Sequence, residues 1–557
     1  MPFSHAVGYY LGLAQIEWPV NLTHSDISCL QTSLSEFEVL LAQTHHIDQM
    51  LMQMTGSKSP EIAAKIDGWM QQLSTVIAMH RNILSPIRRV PLEILSLIFE
   101  LVCLTNYIEY DPGYILAVGG ACKAWRNALY ATPRVWSRLY LDIRSHWRIL
   151  LDDDAPSVKQ WFSRSLGMPL DIELVLTTQV VDDDPESRFA SSWPPVVNIA
   201  LMHKARCVID SLVEFSPQIR SIEITASAEM FALLTCFNEL EFPLLETISL
   251  TIVIESIQAF GPYVPLTLLK APKLRDVRVV EPANAFRPVL DDFHVPLAQL
   301  TSLRLDLRKM DGVSEGLPLN GFVEVLSECR NLITLEILIG EYHSVFRSLP
   351  NLSSSLPHLR SLELSYNKVI WEASNSLLQY ITAPKLEHLA LRCDAPYCYI
   401  ADASDLVDFQ VRSSITLRSL ELVDFPISDN EVFSSRVLPI LAACPSVRSF
   451  GMRLDEFVRL AVLIKAMTYT RGQPLILPYI THLVLRATDS IYGLDWECPS
   501  EIVPMILSRI RGEEETDGKV VARLQKVVLT EVESTDEIRE IREIYDIPDL
   551  DVHMEFI

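Results

Sequence analysis

The chain has 557 residues, too many for one core of ordinary size, and 49% of them are apolar, which excludes general disorder. Its formal net charge is −24, from 71 acidic and 47 basic side chains. A chain so charged repels phosphate backbones at long range, so nucleic acid is not an expected partner, whereas basic protein surfaces stay open.

Residues 1–22 show no clear period and include Pro19, and they read as a loosely held arm. The first basic side chain is Lys58, so neither a secretory n-region nor an arginine-rich presequence is expected. A helix begins near Thr23 or Ser25, both good N-cap types. In it Ile27, Leu30, Leu34, Phe37 and Leu41 step by 3, 4, 3 and 4, a short coiled-coil-like seam. After an interruption from Ser57 to Pro60, Ser59 can cap a second helix with Pro60 at its first position and Glu61 in its first turn. Ile62, Ile66, Trp69, Leu73 and Ile77 continue the apolar stripe. Two arrangements satisfy it: an antiparallel helix pair packed on itself, or a homodimer through residues 23–84.

The next helix runs from Pro91 to about Leu104 and carries two apolar stripes. Leu92, Leu95, Phe99 and Val102 lie on one face, and Ile94, Ile98 and Leu101 on another. A surface helix of a small domain normally has one such stripe. Burying a large aliphatic side chain is worth about 1.5–3 kcal/mol, so a second stripe calls for a second cover, either more of this chain or another protein. A further helical stretch holds Ile115 to Val118 and runs on through Cys122-Lys123-Ala124-Trp125-Arg126 to Leu129, followed by Thr132-Pro133-Arg134-Val135-Trp136.

The run Val90-Pro91-x-Glu93-Ile94-Leu95-x-x-Ile98-Phe99, then Val118, then Cys122-Lys123-x-Trp125-Arg126, resembles an F-box. The Thr-Pro-x-Val-Trp tail, with His80 to Arg89 upstream, is similar to the version common in mushroom-type fungi. The resemblance covers residues 80–140 closely and 23–79 loosely. Val90 stands where leucine is usual. The resemblance implies docking on the Skp-type adaptor, and through it on cullin, in an SCF-type ubiquitin ligase. It makes Val90, Pro91, Leu92, Ile94, Leu95 and Ile98 the adaptor-facing candidates, with Lys123 at the rim, and assigns Phe99 and Trp125 to the F-box core.

Downstream, Pro169 to Leu176 alternates apolar and polar residues and reads as a strand. An apolar rhythm at positions 1, 4 and 6 then returns from Ile219, Leu245, Leu274, Leu300, Leu332, Leu359, Leu386, Leu417, Val447, Ile480 and Leu524. The copies lie 26–33 residues apart, with 44 before the last. Ala271-Pro272-Lys273-Leu274 recurs as Ala383-Pro384-Lys385-Leu386. A unit that short cannot bury its own apolar face and must stack on its copies. Asn367 alone matches the asparagine that ladders the turn in regular repeats. The fold class is therefore an α/β solenoid of irregular leucine-rich repeats, with parallel strands on the concave side and helices, such as those holding Phe322 to Leu326 and Val437 to Leu441, on the convex side. The side chains between the repeat leucines face outward, and Glu223, Arg278, Arg304, Glu336, Glu363 and Glu421 are the target-binding candidates. The other outward positions are Ser249, Ala390, Gly451, Val484 and Val528, with Ser361 beside Glu363. The acidic runs at 152–154, 182–184 and 513–517 read as solvated loops, and Thr535 to Tyr545 as a capping helix.

The expected division is an arm (1–22), a helical segment (23–84), an F-box (85–145) and a solenoid with its cap (146–557). No phosphate-binding glycine loop, no G-x-S-x-G elbow and no H-E-x-x-H helix occurs, so no catalytic residue, metal ligand or cofactor is assigned. The adjacent pair His45 and His46 points to different helix faces. Ten scattered cysteines without a C-x-x-C pair suit reduced thiols, hence the cytoplasm or the nucleus, and no apolar run reaches the roughly 18 residues of a membrane span. The leading expectation is a non-catalytic substrate receptor of a ubiquitin ligase holding an unidentified target protein. The alternative is a scaffold or sensor that binds the same partners without target turnover.

Overall fold

The computed structural model describes residues 22–55, 59–105, 112–143, 156–177, 199–253, 266–280, 293–307, 319–339, 353–366, 377–393, 403–425, 433–454, 461–470, 475–487, 502–510, 522–532 and 550–556. The chain divides into two units, one within residues 1–140 and 159–168 and the other within residues 141–158 and 169–557. Residues 159–168 thus return to the first unit. The arm, Asn367, the three acidic runs and the expected capping helix lie outside the described residues.

The first unit is helical: α1 (His24–Thr55), α2 (Pro60–Leu84), α3 (Leu92–Thr105), α4 (Pro112–Gly120) and α5 (Lys123–Tyr130). At the start of α1 the Thr23 amide and hydroxyl donate to the Asp26 carboxylate at 2.9 and 2.6 Å, and the Asp26 amide donates back to Thr23 Oγ1 at 3.2 Å. These bonds satisfy the free amides of a helix start and hold the Asp26 carboxyl below its usual range. Ser59 caps α2, its Oγ accepting from the Ile62 amide at 3.4 Å, with Pro60 at the first position.

The apolar seam of α1 turns toward α2, as the self-packed alternative expects. Leu30, Ile66, Ile77 and Ile83 are buried, the Phe37 and His80 rings meet edge to face at 5.3 Å, and Arg81 pairs with Glu38 at 2.7 Å. After α5 the Thr-Pro-x-Val-Trp tail forms a 3₁₀ turn, Pro133–Ser137, which buries Val135 and Trp136 completely. Trp136 Nε1 donates to the Leu129 carbonyl at 2.8 Å, and its ring meets Trp161 at 4.7 Å. The Arg164 guanidinium lies 4.3 Å over Tyr130 and 4.6 Å over Trp136. These contacts explain why residues 159–168 belong with the first unit.

The second unit is built on one sheet of fourteen strands, ordered almost entirely as they follow in the chain. Eleven of them follow the eleven repeat copies: 219–227, 247–253, 276–280, 302–307, 334–339, 361–366, 388–393, 419–425, 449–454, 482–487 and 526–532. From the strand Leu170–Leu176 onward each neighbouring pair is parallel. The strand Leu170–Leu176 sits next to the first copy, as the alternation there predicts. Two strands were not foreseen: Arg138–Asp142 at one edge and Asp551–Phe556 at the other, the latter parallel to Lys526–Val532.

The rhythm at positions 1, 4 and 6 is a burial code. Leu359, Leu362 and Leu364 are fully buried, and their equivalents in the other repeats are at most 2% exposed. Register aligns them into continuous inner columns, Ile222–Ile248–Val277–Leu303–Leu335–Leu362–Leu389 for one. Each such side chain is worth about 1.5–3 kcal/mol, and none could be buried by its own repeat. The turn before each strand is equally repetitive. The amides of Thr301 and Ser302 both donate to the Arg275 carbonyl, those of Ile333 and Thr334 to Thr301, and those of Arg360 and Ser361 to Ile333. The recurrent Ala-Pro-Lys-Leu forms the same turn twice, with Leu274 N to Ala271 O and Leu386 N to Ala383 O both at 3.2 Å.

Polar side chains fasten neighbouring repeats where turns leave carbonyls open. Gln299 Nε2 donates to Ala271 and Leu274 at 2.7 and 2.9 Å, and Asn331 Nδ2 to Ala298 at 2.8 Å. Arg509, fully buried, donates to the carbonyls of Met467, Leu477 and Ile476 at 2.7, 2.9 and 2.6 Å. Two helices expected opposite the strands are present as Leu319–Glu328 and Leu438–Ala442, the second preceded by a π turn. Further α-helices lie between later strands, Ala403–Ser413, Ala461–Met467 and Ile502–Ile510, and 3₁₀ turns occur between others, for example Leu297–Gln299 and Leu377–Tyr380.

Candidate functional site

Two surfaces qualify as sites, one on each unit. The first is the outer face of α3. Leu95, Phe99 and Cys103 recur every fourth residue and are buried, with Phe99 edge-on to Trp125 at 5.5 Å. Phe99 is buried in this contact and Trp125 half-buried. On the other side Ile94 is 47% exposed, Leu97 54% and Leu101 63%, and Leu92 and Ile98 are also exposed. Pro91 and Lys123 are exposed and Val90 is half-buried.

Leu95 is the correction among the adaptor-facing candidates. It has no exposed area at all, because its position, four before Phe99, is the inward one. Leu97 was missed and Leu101 left unassigned, although 94, 97, 98 and 101 share one helix face and that spacing was visible. Tyr114 and Leu116 on α4 and Tyr130 on α5 add further exposed apolar side chains in the same unit.

The second surface is the outward face of the long sheet. The six target-binding candidates fall in a single lateral row. Register aligns Glu223, Ser249, Arg278, Arg304, Glu336, Glu363, Ala390, Glu421, Gly451, Val484 and Val528, and extends the row to Glu173 and His553. At the usual strand spacing of about 4.8 Å, Glu223 to Val528 spans roughly 50 Å. Glu173 and His553 were missed because each lies in a strand outside the eleven copies.

Charges along this face are partly matched. Arg304 pairs with Glu336, and Arg392, two residues beyond Ala390 along its strand, approaches Glu363 at 3.6 Å. Burial, then the neighbouring Glu336, raises the Glu363 carboxyl above its ordinary range, with Arg392 and Arg304 opposing. Burial and then Glu223 raise Glu173 likewise. Ser249 Oγ lies 3.4 Å from Glu223 Oε1. At Gly451 a side chain would press on Glu421, whose Cγ would stand 3.2 Å from an added Cβ. The centre of the row is thus acidic and arginine-bearing, and Gly451, Val484 and Val528 form a small and apolar stretch before His553.

Among the described residues no group of three or more His, Cys, Asp or Glu side chains is placed to hold a metal ion, and no helix is long and apolar enough to cross a membrane. Burial pushes the thiols of Cys329 and Cys444 up to about 12 and that of Cys103 up to about 11. Comparison with protein-family models and with curated proteins returned no match.

Proposed function

We propose that the chain is a non-catalytic substrate receptor of an SCF-type ubiquitin ligase. In this reading the helices around α3 form an F-box that docks on the Skp-type adaptor, and the repeats, of irregular leucine-rich type, hold a target protein on the outward face of the sheet. The observation that carries the reading is α3 itself. One face closes the unit's own core through Leu95 and Phe99, while Ile94, Leu97, Ile98 and Leu101 leave a second apolar face bare. A dedicated partner is the economical reason to keep four aliphatic side chains in water. The Pro91 entry and the Cys122-Lys123-x-Trp125-Arg126 stretch match the F-box pattern on the same helices. Catalysis is supplied by the ligase, and the receptor raises the local concentration of a target lysine.

The test is co-purification from cells. Wild type is expected to capture adaptor and cullin, and Pro91→Ala with Ile94→Asp to lose both while keeping its circular dichroism spectrum. Retained adaptor in the double variant refutes the site. Capture of adaptor without cullin, and without a protein that accumulates when the ligase is blocked, favours the scaffold reading. A homodimer through residues 23–84 would need another face than the α1 seam, which packs on α2; Leu40, Ile47, Met50 and Met54 of α1 are exposed.

A further inference from the structure

The half of the α1–α2 pair nearest its connection carries apolar side chains that the pair does not bury. In α1 Leu40, Ile47, Met50 and Met54 step by 7, 3 and 4 and are 48%, 55%, 47% and 79% exposed. In α2 Ile62 and Trp69, seven residues apart, are 50% and 62% exposed. Heptad steps keep such residues in line along a helix. At about 100° per residue, the α1 stripe is turned roughly 125° from the seam of Leu30, Leu34, Phe37 and Leu41, and the α2 stripe roughly 45° from the line of Ile66, Ile77 and His80, both in the same rotational sense. The short connection from Thr55 to Pro60 and the contact of Phe37 with His80 make the pair antiparallel. An antiparallel pair has a local twofold axis, so stripes turned in the same sense emerge on the same side. The six side chains therefore form one face.

Charge and size select what covers it. Copies of a chain of net charge −24 repel one another over most of their surface. Between residues 39 and 57, however, Asp48 is the only Asp, Glu, Lys or Arg, in a chain that is 21% charged. Here two copies can approach with little charge to desolvate. A heptad stripe is also matched by the same stripe turned end for end. In a twofold contact the Leu40 end of one copy meets the Met54 end of the other, apolar on apolar throughout. The methionines adapt to small misfits in such a contact. From Leu40 to Met54 the stripe rises about 21 Å, and two helices side by side are about 20 Å across, so the face covers roughly 400 Å² per copy. A pair then buries about 800 Å², the low end of specific interfaces, which sets the expected affinity in the micromolar range.

We propose that this face of the α1–α2 pair joins two copies of the chain in a reversible twofold dimer. The seam that packs α1 on α2 stays closed in each copy, and the contact is made by the side chains left outside it. The inference goes beyond the receptor reading and does not depend on adaptor docking, because the outer face of α3 is a different surface.

The test is sedimentation equilibrium of the purified full-length chain from about 1 to 100 µM, without adaptor. The mass is expected to rise from one chain toward two across that range. Ile47→Glu with Met54→Glu should weaken association at least about tenfold, while Leu269→Glu with Val411→Glu, two side chains 59% and 73% exposed on the second unit, should change nothing. Thermal melts of both pairs check folding. A wild type that stays monomeric at the highest concentration overturns the proposal, as does a dimer that the Ile47/Met54 pair leaves intact. A monomeric wild type that dimerises once residues 1–21 are removed also overturns it and gives the face to the chain's own arm. Serine at Ile94, Leu97 and Leu101 should leave the dimer unchanged, and loss of the dimer in that variant would move the contact to α3 and overturn the assignment. Adaptor capture is read separately, so failure of the receptor reading and failure of the dimer are distinguishable.

Discussion

Substitutions on α3 separate stability from binding on one helix. Leu95→Ala removes a side chain with no exposed area and is expected to cost about 2–5 kcal/mol of unfolding free energy. Ile94, Leu97 and Leu101, changed together to serine, remove side chains 47%, 54% and 63% exposed and are expected to cost under about 1 kcal/mol. Their effect on docking is the reverse. If a partner covers what is now bare, full burial at about 1.5–3 kcal/mol per side chain, scaled by those exposures, makes the three worth about 2.5–5 kcal/mol together. That is a loss of roughly 70-fold to several thousandfold in adaptor affinity. Urea unfolding followed by tryptophan fluorescence gives the first quantity, and titration with purified adaptor–cullin complex the second. If the triple serine variant unfolds as readily as Leu95→Ala, other parts of the chain cover this face and the reasoning fails. If it is stable but binds adaptor as wild type does, the docking assignment fails alone.

Other outcomes test the second unit. Arg509→Met removes the guanidinium donor from the carbonyls of Met467, Leu477 and Ile476, of which Leu477 keeps the Ile480 amide, and is expected to cost about 2–4 kcal/mol, seen as early loss of hydrogen-exchange protection in 461–467 and 502–510; unchanged protection would show that water replaces the guanidinium. Glu363 has a folded-state pKa raised above the ordinary 4.5, so its ionised form costs the folded state stability as pH rises through that pKa. Glu363→Gln should therefore melt higher than wild type at pH 7.5, with the gap closing near pH 4; a lower melting temperature at pH 7.5 would mean that the contact with Arg392 outweighs burial. Cys103, Cys329 and Cys444, with thiols pushed up to between about 11 and 12, should resist iodoacetamide at pH 8 in the folded protein while exposed Cys29 reacts, as peptide mass spectrometry would show. Alkylation of the three at the rate of Cys29 would refute their burial.

The repeat architecture was readable because its signal is burial with a fixed step. Ile219, Ile222 and Ile224 state it once and ten further copies repeat it, so even irregular spacing did not hide the strands. The outward row followed from the same step, since a side chain between two inward ones has only one direction left. The last strand escaped because Asp549 stands where the leading apolar residue belongs, although Val552 and Met554 keep the inner positions against Val527 and Leu529. The double-sided character of α3 was also readable, but its division was not. Leu92 and Leu95 looked equivalent in a nearly all-apolar helix, and only the folded unit, in which Leu95 has no exposed area and Leu97 is 54% exposed, shows which is interior. Arg275, Arg360 and Lys385 line one cleft that had no sequence signature, because they belong to three different repeats and come together only after stacking.

Along most strands of the sheet, inward core positions alternate with outward ones. An exchange at Ala390 alters the outward face without touching Leu389 or Leu391, the buried residues on either side of it. If the outward face binds a target, as proposed, selection can rewrite its specificity one such exchange at a time while the scaffold stays the same.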